Sequence, residues 1–464
     1  MKNKLSNIIK KPEIIFIIFG SFFGLLSMIM MPALTIPDEG AHFWMSYGMF
    51  SKNRQIPNDM LVSAEDSAKF IKEGTYFEKI YLKKINFEND QFKINFTKNI
   101  AINEKNDSRC VSSLDITRLP QAIGITIGKM IYPSVGVMVF FGRLINFSVF
   151  IGVIYLIIKK VKYGKLGFLF LSLFPMMIHQ AASLSYDVVN IVVIFAWIAM
   201  LINLSIQKTT ITKKQIAKIV IIGVIITLTK PSNILLLALL LFLPNKTYKN
   251  TKIFLYIKNL MPQIKISKKS IYIITSILFT LFLLFGIYLF DIYLDRHGVS
   301  FETFAKALFN TFFRTDINTQ LDPIVTTGIV GHFGWLWYKL PEWLVIIHLS
   351  IFGIVLLGEK TPKVSLRFAI TSGLLFVLSI LLITVGMYLF WTLLPNVTGV
   401  NATFIQGMQG RYFTPLLSLL IPLFAYIQQH ISVKINQKLL CIIAILMSAF
   451  SLCVYLSLTY IYFY

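Results

Sequence analysis

In Pro37-Asp38-Glu39-Gly40-Ala41-His42, two adjacent carboxylates stand close to an imidazole. Successive residues of a strand or helical turn point in different directions. One carboxylate can therefore take a proton or bind a metal while the other orients a partner. The competing reading is an interfacial acid pair that caps a helix beginning near Gly40. Cations recur further along the chain. Arg143, in Phe141-Gly142-Arg143-Leu144-Ile145-Asn146, lies a few residues into an apolar run, placed either for function or for snorkelling to headgroups. Lys230 precedes Pro231-Ser232-Asn233 at a break between two short apolar stretches. A lysine before a helix N-terminus supplies a point charge and free N–H groups, which together suit an anion. Arg411, in Gln409-Gly410-Arg411-Tyr412-Phe413, stands at the mouth of a span and can clamp a phosphate through two donors.

The remaining candidates are weaker by type. Asp187, in Ser183-Leu184-Ser185-Tyr186-Asp187, marks a turn where a helix N-cap is the plainer role. Trp335, in Gly331-His332-Phe333-Gly334-Trp335-Leu336-Trp337, is either an interfacial anchor or a wall for a sugar or lipid, and Gln409 and Tyr412 extend such a wall. Taken together the set fits a lipid-linked phosphate. Cations bind the phosphate and stabilise it as a leaving group, apolar helices hold the isoprenoid, and a carboxylate accepts a hydroxyl proton.

The elements that must position these residues are membrane helices. Of 464 residues, 56% are hydrophobic and 14% charged, against roughly 25% charged in an ordinary soluble domain. Apolar runs near the length of about 20 residues needed to cross a bilayer predict about eleven spans: 13–35, 134–158, 166–182, 187–206, 217–230, 233–244, 270–291, 343–358, 368–391, 413–429 and 439–461. The first run is too long for a signal-peptide core and reads as an uncleaved span. The segment from Arg118 to Met130 is too short to span, is mildly amphipathic, and is expected to lie along the interface. The whole chain, 1–464, reads as one all-α domain with outer loops at 37–119, 291–342 and 394–412. No internal repeat supports an inverted-repeat transporter. No strand, Gly-rich loop and helix marks a soluble nucleotide-sugar site.

The net charge of +23 is a topology signal. Lysines cluster between spans: Lys2, Lys4, Lys10 and Lys11; Lys159, Lys160, Lys162 and Lys165; Lys208, Lys213, Lys214 and Lys218; the loop 246–269; Lys360, Lys363 and Arg367; Lys434 and Lys438. These clusters alternate with loops of mixed charge, and residues 38–119 hold 12 basic and 12 acidic side chains. By the positive-inside rule the basic loops and the N-terminus are cytoplasmic, while Asp38 and its companions face outward. The basicity is then explained by topology and anionic lipid, and nucleic acid is not an expected partner. Cys110 lies in an outer loop and Cys441 and Cys453 in the last span, so no disulfide framework is implied.

At these residues the chain resembles a bacterial membrane family known as domain of unknown function 2142, grouped with the GT-C glycosyltransferases. The resemblance runs through Pro37-Asp38-Glu39 with His42, Leu119-Pro120-Gln121-Ala122 with Gly124 and Gly128, and Gly142-Arg143-Leu144 with Asn146. It continues through Ser185-Tyr186-Asp187, Lys230-Pro231, Gly331 with Gly334-Trp335-Leu336, Pro341-Glu342-Trp343, and Gln409-Gly410-Arg411-Tyr412-Phe413. Asp38-Glu39 followed by His42-Phe43 also looks like the Asp-Glu motif in the first outer loop of protein O-mannosyltransferases. That similarity implies Asp38 as base, with Glu39 and His42 orienting an acceptor or sharing a divalent cation with it. Gln121 and Asp187 join the acceptor side, and Arg143, Lys230 and Arg411 the donor phosphate. It further implies a GT-C-like bundle in the bacterial cell membrane, transferring a sugar from a polyprenyl-phosphate donor to a surface glycan or lipid. The alternatives are a flippase of lipid-linked saccharides and a non-catalytic scaffold for an envelope polymer.

The loop charges generate the first prediction. A cysteine placed at Ser63 reacts with an impermeant thiol label added outside the cell, and one at Lys258 does not; the reverse pattern inverts the topology.

Overall fold

The computed structural model of the chain describes residues 11–53, 56–87, 90–96, 114–244, 247, 286, 288, 290–314, 316, 324–431 and 435–464. Its first helices are α1 (Pro12–Met30), α2 (Glu39–Tyr47), α3 (Ala64–Lys72), α4 (Leu119–Ile131) and α5 (Val135–Lys160). Then come α6 (Lys165–Ser172), α7 (Pro175–Ala181), α8 (Asp187–Ser205), α9 (Lys213–Thr229) and a 3-10 helix over Pro231–Phe242. The second half holds α10 (Phe301–Phe313), α11 (Thr327–Val330), α12 (Glu342–Gly358), α13 (Leu366–Met387), α14 (Leu420–Gln428) and α15 (Gln437–Phe463). One hairpin interrupts the helices, β1 (His332–Phe333) pairing antiparallel with β2 (Tyr338–Lys339).

Among the described residues six stretches are long and apolar enough to cross a membrane: Pro12–Met30, Val135–Lys160, Asp187–Ser205, Leu366–Thr392, Gly410–Gln428 and Gln437–Phe463. The chain is a polytopic helical membrane protein, and among the described residues these six stretches meet the length of a crossing while other expected runs form shorter helices. The run 166–182 is two short helices, because Pro175 has no N–H to continue α6 and opens α7 instead. The stretches 233–244 and 343–358 form shorter apolar helices, and 217–230 falls within the 17-residue α9. Most of the expected span 270–291, Cys110 and most of the 246–269 loop lie outside the described residues.

Basic residues gather at the ends of the helices farthest from Asp38. Lys159 and Lys160 close α5, Lys165 opens α6, and Lys213 and Lys214 open α9. The connections at that end are tied by hydrogen bonds. Lys162 N donates to Asn203 Oδ1 at 2.8 Å, and Gln437 Nε2 donates to the Gly358 carbonyl at 2.7 Å. Between the two ends the bundle packs around α8, the most enclosed of the six crossings. Lipid tails are as apolar as leucine, so polar contacts across helices add specificity. Ser27 of α1, Tyr455 of α15 and His179 of α7 form one such chain, at 2.6 and 3.0 Å, and His348 of α12 meets Ser451 of α15 at 2.9 Å.

The segment between α1 and α4 is a folded cap with its own small core. Phe43, Tyr47, Met60, Ile80 and Ile85 pack onto Ile125 of α4 and Val135, Met138 and Val139 of α5. Asp90 anchors this cap by accepting bonds from Ser51, Tyr47 and Lys129. Helix α4 does not lie along the interface as its amphipathic pattern suggests. It stands antiparallel against the first turns of α5. A Cβ on Gly124 would collide with the backbone of Phe141 and Gly142, and one on Gly128 with that of Val137 and Met138. Glycines four apart make a flat stripe that lets two helices touch backbone to backbone. That close packing brings Gln121 and Arg118 to the same level as Arg143.

Candidate active site at the Asp38 end of the bundle

The motif residues separate into a fully enclosed supporting layer and, above it, a second, largely buried layer in which the Asp38 carboxylate reaches solvent. Arg143 and Glu39 form the lower one. Arg143 Nε and Nη2 donate to the two oxygens of Glu39 at 2.8 and 2.6 Å, a bidentate pair shielded from solvent. Arg143 Nη1 donates to the carbonyls of Met31 and Met28, at 2.7 and 3.3 Å, and Nη2 also to Pro32 at 2.8 Å. A guanidinium has five donors, and here all five are used. The carbonyls belong to the frayed end of α1, where the last turn of a helix leaves its acceptors unpaired. Arg143 therefore has no donor left for a phosphate and corrects the donor-binding role its sequence context suggests. Glu39, with both oxygens on Arg143, is likewise unavailable as a catalytic carboxylate or as a ligand to a divalent cation.

The lower layer also shapes the turn before α8. Leu184 N donates to Glu39 Oε1 at 3.0 Å, Gln121 Nε2 donates to the Leu184 carbonyl at 3.2 Å, and Asn146 Nδ2 spans the carbonyls of Ser183 and Ser185 at 2.8 and 3.0 Å. Gln121 is thus a support for this turn. The turn in its place presents Tyr186 and Asp187 upward.

The upper layer is a cluster of charges and rings. Asp38 adopts a left-handed backbone conformation, with φ 62°, a region that aspartate tolerates better than most residues. Its side chain is half exposed. Arg411 Nη2 donates to Asp38 Oδ2 at 2.9 Å and Arg411 Nη1 to the Pro37 carbonyl at 3.4 Å. Lys230 Nζ donates to Asp187 Oδ1 at 2.7 Å and lies over the rings of Tyr412 and Tyr186, at 4.8 and 5.1 Å. The Arg411 guanidinium is 5.4 Å from the Tyr412 ring. His42 meets Tyr186 edge-on at 4.9 Å. Burial, with Arg118 and Arg411 nearby, pushes the His42 imidazole down to about 3, so it is neutral at physiological pH. Its Nδ1 is buried without a partner.

Sequence reasoning passed over Arg118 and the ring of Tyr186. Arg118 lies 5.0 Å from the centre of the Tyr186 ring, paired with Asp115 and with a buried, unpartnered Nε. The ring is thus contacted by two cations, Arg118 and Lys230, and two cations around one ring are a signal that only the fold supplies. Trp335 stands at the rim, 41% exposed, with its indole N–H 3.4 Å from the Leu34 carbonyl. Gln409 lines a cleft beside Arg411. The only non-glycine residues with positive φ among the described residues are Leu34, Asp38 and Leu336, and all three border this region. Strained backbone of this kind collects at functional sites, where surrounding structure holds it in place.

The structure therefore brings Asp38, Arg411, Asp187, Lys230, Tyr412 and His42 to one place and sets Glu39, Arg143 and Gln121 beneath it. The chain belongs to the family described as predicted membrane protein (DUF2142), which matches residues 19–421. No curated protein and no solved structure matches it.

Removing one member of a buried ion pair leaves the other charge unpaired, at a cost of roughly 3–5 kcal/mol. Arg143→Met should therefore lower the unfolding temperature of the detergent-solubilised protein sharply, whereas Asp38→Asn should leave it nearly unchanged. Equal melting of Arg143→Met and the wild type would contradict the supporting role of this pair.

Proposed function

We propose that this member of the DUF2142 family is a membrane glycosyltransferase. In this reading it moves a sugar from a polyprenyl-phosphate donor to a surface glycan or lipid at the extracytoplasmic face of the bacterial cell membrane. The observation that carries the reading is the half-exposed Asp38 carboxylate held by Arg411 beside Lys230 and two tyrosine rings.

The chemistry follows from that arrangement. Arg411 is shared between two anions. Asp38 is half exposed and takes a single hydrogen bond from Arg411, so an anion that takes two charge-assisted hydrogen bonds, roughly 1.5–3 kcal/mol each, competes with it. An arriving phosphate that takes both guanidinium donors therefore displaces Asp38. Lys230 adds a second positive charge, and the tyrosine rings hold it in place. Asp38, released, accepts the proton of the acceptor hydroxyl. The acceptor oxygen forms a bond to the anomeric carbon on the side opposite the phosphate. The bond from that carbon to the phosphate oxygen breaks, its electron pair stays on the phosphate, and Arg411 and Lys230 stabilise the charge. The configuration at the anomeric carbon inverts. His42, neutral, lies beside this path as a hydrogen-bonding group for the acceptor.

Phe170, Phe174, His348 and Phe352 pack ring against ring in the bundle interior, close packing that favours a fixed site over a flippase's alternating path.

Asp38→Asn tests the proposal. Asparagine keeps the size and tolerates the left-handed backbone, but it cannot act as a base. Transfer should fall by about 10²–10⁴-fold with folding and carrier-phosphate binding retained. Glu39→Gln should instead act through stability. Normal surface-glycan decoration by the Asp38→Asn protein would overturn the catalytic reading in favour of transport.

A further inference from the structure

A narrow cleft borders Arg411, with apolar walls from Met176, Ile324 and Leu336 and room for about one water molecule. Three polar side chains also line it, and each carries a buried atom without a partner. Gln180 of α7 is 2% exposed, its Nε2 meets only the Met176 sulfur at 3.8 Å, and its Oε1 meets nothing. The Oε1 of Gln409 and the Nε of Arg411 are likewise buried and unpartnered. Arg411 directs its other two nitrogens elsewhere, Nη2 to Asp38 and Nη1 to the Pro37 carbonyl. Its Nε–H remains a donor, because arginine keeps its proton in proteins. The turn that carries Gln409 and Arg411 is fixed in place. A Cβ on the intervening Gly410 would collide with the backbone of Gly328 and Ile324, so the turn is seated directly on α11 and the chain before it.

Two acceptors and one donor require a group that donates twice and accepts once. Water does this at the size the cleft admits, and a buried water makes roughly three hydrogen bonds. A cation there would face the Arg411 charge, an anion would face two amide oxygens, and an apolar group would leave all three atoms unsatisfied.

We propose that one ordered water occupies this cleft, donating to Gln180 Oε1 and Gln409 Oε1 and accepting from Arg411 Nε. The two glutamines are thereby positioning residues for Arg411. The water holds the guanidinium through Nε and leaves Nη1 and Nη2 to exchange Asp38 for an anion. Without that anchor the arginine gains rotamers once Asp38 leaves, and loses the two-pronged aim that a phosphate requires. The positioning role rests on the lipid-phosphate reading of Arg411, whereas the water site does not.

The test uses the full chain in lipid nanodiscs. Cryo-electron microscopy at a resolution that shows ordered water should reveal density within hydrogen-bonding distance of all three atoms. That density should vanish in Gln180→Met, which is similar in size and has no oxygen. Binding of a bare polyprenyl phosphate should weaken about tenfold in Gln180→Met and in Gln409→Met. The double variant should be no weaker than either single one, because each substitution already removes the shared water. Should Gln180→Met fail to fold, Gln409→Met alone carries both the density and the affinity measurement. Absence of the density in the wild type, or losses that multiply in the double variant, overturns the proposal. Unchanged affinity in both single variants overturns the positioning role while the phosphate site stands. If the density is present and the wild type binds no carrier, the positioning role falls together with the lipid-phosphate reading, and the water site remains.

Discussion

Everything at the Asp38 end of the molecule depends on the enclosure of one guanidinium. A buried arginine must satisfy five N–H donors, and a buried glutamate must satisfy a full negative charge. Arg143 and Glu39 meet both demands, together with three carbonyls from the end of α1 and one amide of the turn before α8. Four separate pieces of chain are thereby joined at one point: the end of α1, the start of α2, the middle of α5 and the Ser183–Asp187 turn. None of these could shift alone without stranding a charge. Such pairs contribute little net stability against a well-packed apolar alternative, but breaking one is severe. That asymmetry suits a support that must have a single geometry.

The adjacent pair Asp38-Glu39 then divides its labour by direction. Glu39 points down into the ion pair and Asp38 points up to Arg411, which the left-handed backbone at Asp38 makes possible. The upper interactions are weaker by design of their surroundings. Asp38 is half exposed and singly bonded, whereas Glu39 is enclosed and doubly bonded. In the proposed reading an incoming anion opens the upper pair and leaves the lower one intact, a division between a rigid support and an exchangeable contact.

Much of this was legible in the sequence, and the rest was not for identifiable reasons. The apolar runs and the lysine clusters give the membrane class directly, because hydropathy and charge are local properties. Pro175 stands inside the apolar run 166–182, and run length alone does not show that one helix ends and another begins there. Gly124 and Gly128 carried the spacing of a close helix contact, but amphipathicity suggested a surface helix. The residues Asp38, Asp187, Lys230 and Arg411 stood out by type, since charges near apolar runs are costly. Their partners did not. Glu39 and Arg143 are 104 residues apart, and Arg411 and Asp38 are 373 apart. No spacing rule says which of three cations a given carboxylate will meet. For that reason Arg143 looked like a phosphate ligand and is held entirely by Glu39 and three carbonyls, while Arg118 drew no notice.

The central claim is that Arg411 exchanges Asp38 for a phosphate. It is tested most directly by a cryo-electron microscopy structure of the protein in nanodiscs with a bound polyprenyl phosphate. The account predicts phosphate density on the Arg411 and Lys230 side chains, with Asp38 moved out of hydrogen-bonding distance of Arg411 and the Glu39–Arg143 pair unchanged. A bound phosphate elsewhere, with Asp38 still 2.9 Å from Arg411, would contradict it.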